Sequence, residues 1–207
     1  MTHILHIDSS TDTAESSHTR RLSAELVEKL TSVHEGATVT RRDVDADRLP
    51  HVTGEFRNSW MAKEGEHTPD QLEIRTRSEG LIDELRQADV IVIGAPMYNF
   101  TVPSTLKAWI DHVAVAGQTF KYTDQGPVGQ LTGKKAWLVL SSGGVYSEGP
   151  FASYDHLSTY LRGILGFIGI TDVNTVLAEG VAMGPERDEA AMQAASETID
   201  GIGKRTD

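Results

Sequence analysis

The chain alternates between short runs of branched apolar residues and longer stretches in which apolar residues recur every three or four positions. His3-Ile4-Leu5-His6-Ile7-Asp8 is a short apolar run that ends at serines, the pattern of a first strand. Leu22, Leu26 and Leu30 then fall four apart, the spacing of one helical face. Residues 37–44 alternate around Val39 and β-branched threonines as a second, less buried strand. Residues 49–67 are polar and irregular but hold Phe56, Trp60 and Met61, enough for a short helix resting on a neighbour. Thr68-Pro69 is a cap followed by proline at the first helical position. The helix it starts runs to about Ala88 and turns Leu81, Ile82 and Leu85 inward.

Asp89-Val90-Ile91-Val92-Ile93-Gly94-Ala95 is unbroken, as in a strand covered on both faces. After Pro96, residues 104–115 form a helical pattern with Leu106, Trp109, Ile110 and Val113 on one side, and 118–134 is a loop rich in glycine and threonine. Residues 137–140 and 173–177 are a fourth and a fifth strand, with 154–167 helical between them. Met192, Ala195, Ile199 and Ile202 mark a last amphipathic helix. Five strands alternating with helices predict an α/β fold, a doubly wound five-stranded parallel sheet in three layers. Right-handed crossovers leave few topologies, of which the flavodoxin-like order 2-1-3-4-5 is the commonest at this length. Without repeats, low-complexity tracts or linkers, residues 1–207 are expected to form one domain.

Thirty acidic against 19 basic residues give a net charge of −11, which repels phosphate backbones and argues against nucleic acid as a partner. The absence of cysteine excludes disulfides, thiolate metal sites and cysteine nucleophiles. Histidines and carboxylates, Asp111-His112 and Asp155-His156 included, lack metal-ligand spacing, so no metal is expected. Neither a secretion signal nor an apolar run approaching ~18 residues is found, so the expectation is a cytoplasmic protein with no membrane partner.

In an open sheet of this order, ligands bind beyond the carboxyl ends of the strands, in the crevice between the loops after strands one, three and four. After the first come Ser9-Ser10-Thr11 and then Ser16-Ser17-His18-Thr19 running into a helix. Hydroxyls and free N–H groups at a helix N-terminus suit a phosphate, and equally Ser17 or Thr19 is an ordinary cap. Arg20 and Arg21 follow directly. After the third strand, Pro96-Met97-Tyr98-Asn99-Phe100 gathers two aromatics, a methionine and an amide between prolines, either a wall for a planar ligand or a plug for the sheet end. After the fourth, Ser141-Ser142-Gly143-Gly144 is either a plain turn or a row of N–H donors open to a ligand. The dinucleotide fingerprint, the P-loop and the serine-hydrolase elbow are all missing, which favours a flat cofactor with one phosphate.

These loops, in this order, resemble those of the FMN-dependent NADH-azoreductase and NADH:quinone oxidoreductase family. Ala95-Pro96-Met97-Tyr98-Asn99-Phe100 is the most specific match, joined by Thr119-Phe120-Lys121-Tyr122-Thr123, Gly126-Pro127, Gly166-Phe167-Ile168-Gly169-Ile170-Thr171-Asp172 and Ala178-Glu179-Gly180. The resemblance implies a homodimer with one FMN per subunit. It places Ser10 and Ser17-His18-Thr19 on the ribityl phosphate, Pro96 to Phe100 along the ring, and Ser141, Ser142, Gly143 and Gly144 on its pyrimidine side. Two departures stand out. The family's two serines spaced by one residue become Ser17 and Thr19, or Ser16 in a shifted register, and its arginine before the glycine pair becomes Ser142. Losing that charge bears on flavin potential and substrate preference.

The implied reaction is ping-pong transfer of two electrons from NADH or NADPH through FMN to quinones and aromatic azo compounds. The cofactor carries the chemistry, so no protein acid or nucleophile is required. Phe100, Phe120, Tyr122 and Phe151 are candidate aromatic walls for the substrate. The absence of a basic cluster for a 2′-phosphate favours NADH over NADPH. A flavodoxin-like electron carrier without its own substrate is the alternative, and a flavin-free hydrolase or binding module a third.

Overall fold

The computed structural model describes residues 1–203. Seven strands and seven α-helices follow in the order β1 (His3–Asp8), α1 (His18–Val33), β2 (Thr38–Asp43), α2 (Val44–Asp47), α3 (Gly54–Met61), α4 (Pro69–Gln87), β3 (Val90–Pro96), α5 (Ser104–Val113), β4 (Phe120–Thr123), β5 (Gly126–Gly129), β6 (Lys135–Ser142), α6 (Ser158–Ile168), β7 (Asp172–Glu179) and α7 (Pro185–Asp200). Five strands form a parallel sheet of order β2-β1-β3-β6-β7. That replaces the expected order 2-1-3-4-5. The segment 118–134, read as a loop, folds into the antiparallel hairpin β4–β5, so the outer sheet strands are the sixth and seventh of the chain.

The central strands explain the layers. Every residue of β3 is buried. Its alternate side chains split between two cores, Ile91, Ile93 and Ala95 joining one that includes α4, α5 and α6, Val90 and Val92 the one with α1 and α7. Burying each branched side chain stabilises the fold by roughly 1.5–3 kcal/mol, which holds β3 in register between β1 and β6. Edge strand β2 keeps three of its six residues exposed.

Local chemistry sets the helix starts. Thr68 and Gln71 form a reciprocal capping box with Pro69 at the first helical position of α4. Residues 54–61 of the irregular 49–67 segment form α3, which buries Phe56 in a T-shaped contact with the His112 ring, 5.0 Å between centroids. The helix expected from residue 154 starts at Ser158, because the Asp155 carboxylate takes the Leu157 and Ser158 N–H groups and a 3₁₀ turn precedes it.

The hairpin docks on the C-terminus of α6. Leu131 N–H donates to the Ile168 carbonyl at 2.9 Å, Phe120 lies 4.4 Å from Phe167 between ring centroids, and a Cβ on Gly129 would collide with the backbone of Ile168 and Gly169. Glycine is required there by proximity.

Candidate functional site

The loops after β1, β3 and β6 converge at the carboxyl edge of the sheet, and each is held by ties reaching outside itself. In the first, Ser17 settles the choice of cap: its hydroxyl accepts the Arg20 N–H at 3.3 Å, so α1 begins at His18. Thr19 is buried in the first turn with its hydroxyl 3.3 Å from that of Ser17, whereas Ser16 is exposed and bonds to Thr13. Arg20 turns inward, donating to the Ser10 carbonyl at 2.6 Å and through two nitrogens to Asp43 at the end of β2, at 2.6 and 3.0 Å. The arginine therefore clamps the loop from beneath. His18 Nε2 lies 2.7 Å from the Asp188 carboxylate on α7.

Beneath this loop lies Asp8. Burial would raise its pKa, but the hydrogen bond and charge of His6 and the hydrogen bonds from Arg41 and Ser23 hold it down to about 2. Gly94, its partner on β3, leaves the space that Ser23 and Asp8 fill, since a Cβ there would meet both at 3.2–3.4 Å.

The second loop is a tight turn. Tyr98 and Thr101 exchange backbone hydrogen bonds of 3.0 and 3.1 Å around Asn99 and Phe100, at φ 48° and 71°. Two successive non-glycine residues in the left-handed region make a strained type I′ turn. The loop persists because it is tied on three sides. Met97 N–H reaches the Ser141 carbonyl at 2.7 Å, His156 N–H reaches the Phe100 carbonyl at 3.0 Å, and the Tyr98 and Thr11 hydroxyls meet at 2.9 Å. Among the described residues the N–H groups of Asn99 and Phe100 have no partner. Strain of this kind collects where a ligand is held.

In the third loop, the N–H groups of Val181, Ala182 and Gly180 take the carbonyls of Ser142, Gly143 and Gly144 at 3.1–3.2 Å. The Glu179 carboxylate accepts the N–H groups of Tyr146 and Ser147 at 2.9 and 3.0 Å. The carbonyls are thus committed, while the N–H groups of Gly143 and Gly144 have no partner among the described residues. The Ser142 hydroxyl turns back onto the Gly144 carbonyl at 2.8 Å.

Two clefts result. One of about 150 Å³ is lined by Ser10, Asp12, Ser17, His18, Pro96, Met97, Tyr98, Ser141, Ser142, Gly143 and Val181. The other, about 280 Å³, shares Met97, Ser141 and Ser142 and extends between Tyr146, Asp155, Arg162 and Glu179. Most of the residues singled out in the sequence are brought together here. Asn99 and Phe100 crown the turn above, with Phe100 against Tyr146 and Tyr154, and Phe151 lies 6.3 Å from Tyr154. Phe120 and Tyr122 lie on the hairpin outside both clefts, Phe120 buried and Tyr122 73% exposed, because the hairpin packs on α6 instead of folding over the strand ends. Asp12, Tyr146, Asp155 and Val181 line the clefts without having been singled out for this role. Tyr146, an aromatic two residues past a glycine pair, carried a readable signal.

Residues 2–201 match the family defined by a flavodoxin-like fold, which fixes the class of the protein. Over 202 residues the chain is 52% identical to the FMN-dependent NADH:quinone oxidoreductase of Herminiimonas arsenicoxydans, covering 98% of both chains. It also superposes on a crystal structure of an azoreductase from Bacillus anthracis with a TM-score of 0.91 at 31% identity over the whole of both chains. An FMN-dependent NADH-azoreductase from the same species, solved in complex with FMN, matches at a TM-score of 0.89 and 25% identity over 99% of each chain. The chain belongs to the family of FMN-dependent NADH:quinone oxidoreductases.

Proposed function

We propose that this protein is an FMN-dependent oxidoreductase that carries two electrons from NADH or NADPH to quinones and aromatic azo compounds. The observation that carries the reading is the convergence, at one sheet edge, of a capped helix N-terminus, a strained turn and a glycine pair, the latter two with free N–H donors. These donors fit FMN. Ser10, Ser17, His18 and Thr19 would hold the phosphate at the positive end of α1. Pro96, Met97 and Tyr98 would lie along the ring, with the N–H groups of Asn99 and Phe100 at its edge. Ser141, Ser142, Gly143 and Gly144 would face the pyrimidine, where fixed donors stabilise negative charge on a reduced ring. When bound, FMN supplies the hydride-accepting and hydride-donating chemistry.

The protein's part is to position and to exclude. The ties to Asp43, Thr11, Ser141 and Glu179 keep the donors aimed without a ligand, so little reorganisation is needed on binding. Donor and acceptor would share one mouth, lined by Phe100 and Phe151, and replace each other there, which makes the kinetics ping-pong. The reading includes one domain over residues 1–207, a homodimer with one FMN per subunit, a cytoplasmic location and NADH as the preferred donor.

The test is a visible spectrum. Protein supplied with FMN should retain a yellow chromophore that bleaches on adding NADH and recovers with menadione, with parallel double-reciprocal lines in steady state. NADH consumption that needs a second protein would favour an electron carrier. A colourless preparation that neither retains nor responds to FMN would refute the reading.

A further inference from the structure

Four aromatic rings form a chain of contacts that starts at the larger cleft. Phe100 lies 5.9 Å from Tyr146 and 5.1 Å from Tyr154, and Tyr154 lies 6.3 Å from Phe151. Phe100, Tyr154 and Phe151 are 43%, 46% and 59% exposed, and Tyr146 lines the larger cleft directly. A row of exposed rings on a soluble surface marks a place where a planar apolar ligand settles, and ring contacts favour fused aromatics over single rings.

Carboxylates outnumber cations beside the rings. The two clefts are lined by the carboxylates of Asp12, Asp155 and Glu179. Asp155 and Glu179 are fixed as acceptors, each holding two backbone N–H groups. Against these three stands one guanidinium, Arg162, which donates to the Val173 carbonyl at 2.9 Å and the Thr175 hydroxyl at 2.6 Å and keeps its charge, so the lining is negative on balance. His18 is paired with Asp188. Ser142, at the junction of the clefts, is neutral and turned onto Gly144.

We infer that this site selects neutral, planar, fused-ring quinones, held in contact with the chain of rings that runs from Tyr146 through Phe100 to Tyr154 and Phe151, and that Asp155 and Glu179 discriminate against sulfonated aromatic acceptors. The inference rests on the proposed quinone reductase activity and narrows its substrate class. The balanced reaction for the favoured substrate is NADH + H⁺ + 1,2-naphthoquinone → NAD⁺ + naphthalene-1,2-diol.

The test compares 1,2-naphthoquinone with 1,2-naphthoquinone-4-sulfonate on the FMN-loaded protein. Rates are measured at about 0.02 M and about 0.5 M salt, where the screening length is roughly 20 Å and 4 Å. Dissociation constants for the oxidised protein come from perturbation of the flavin absorbance. At low salt the neutral quinone should have the higher kcat/KM and tighter binding, by roughly tenfold. Salt should raise kcat/KM for the sulfonate several-fold and leave that of the neutral quinone unchanged.

The overall charge of −11 also repels anions, so variants localise the effect. E179Q and D155N keep an acceptor oxygen and should improve use of the sulfonate. E35Q, in the turn before β2 at the opposite edge of the sheet, should not. Y154A should raise KM for 1,2-naphthoquinone more than for a single-ring benzoquinone. Equal handling of the two naphthoquinones at low salt, or an E35Q effect as large as that of E179Q, overturns the inference while leaving quinone reduction intact. Failure to reduce either quinone overturns the proposed function and the inference with it.

Discussion

Replacing Phe100 by glycine and by alanine separates the strain in the 98–101 turn from the contacts of its ring. Phe100 sits at φ 71°, where a side chain costs about 1–2 kcal/mol and glycine almost nothing. Both variants lose the contacts with Tyr146 and Tyr154, so that loss cancels between them. Glycine surrenders about 0.5–1 kcal/mol more chain entropy on folding than alanine. F100G should therefore be the more stable of the two by about 1 kcal/mol, the reverse of the order at an ordinary exposed position. For a chain of this length that is roughly 2–4 °C in Tm. The assay is thermal unfolding of flavin-free protein followed by far-UV circular dichroism, with urea unfolding as a second measure. If F100A proves as stable as F100G, the turn is not strained and the account of it is wrong.

Other parts of the molecule make equally definite claims. S17A removes the cap of α1 and should cost about 1 kcal/mol of stability; in a flavin fluorescence titration it should weaken FMN binding far more than S16A does. G129A should destabilise by roughly 1–3 kcal/mol, seen as a lower Tm, because the hairpin must lift from Ile168 and Gly169. The folded-state pKa of Asp8 is depressed to about 2. Its contribution of roughly 2 kcal/mol is therefore complete above its unfolded value near 4 and lost as pH falls through about 2, a loss that acid titration of D8N should lack. Burial, opposed by the hydrogen bond to the Pro50 carbonyl, lowers the pKa of His112. Its contribution is therefore present above about pH 6.5 and declines below it, and H112N should flatten unfolding free energy against pH in that range.

Much of the fold was legible because it is written in local patterns. An unbroken branched run such as Val90-Ile91-Val92-Ile93 has few uses other than a doubly covered strand, and Thr68-Pro69 announces a helix start with two independent signals. The hairpin was not legible. Only Phe120 of its eight strand residues is buried, so no alternation betrays it, and its anchor is a glycine-to-glycine contact with a segment 40 residues away. The site was legible as three loops but not as a mechanism of support. Nothing local indicates that Arg20 turns under Ser10, that Tyr98 meets Thr11 across 87 positions, or that Glu179 holds Tyr146 and Ser147. Nor does Asn99-Phe100, lacking glycine, advertise a type I′ turn.

The ties beneath the three loops bear on how the protein comes into use. Arg20 grips Ser10 and Asp43, and Glu179 grips Tyr146 and Ser147, with bonds that belong to the polypeptide alone. The chain is therefore expected to fold without FMN and to take it up afterwards, which refolding in the absence of flavin followed by FMN titration would check. A newly made molecule in a flavin-starved cell would wait intact, and gain stability only in proportion to the logarithm of FMN concentration once supply returns. On the same expectation, a flavin-free preparation should accept synthetic flavins of altered potential in place of FMN.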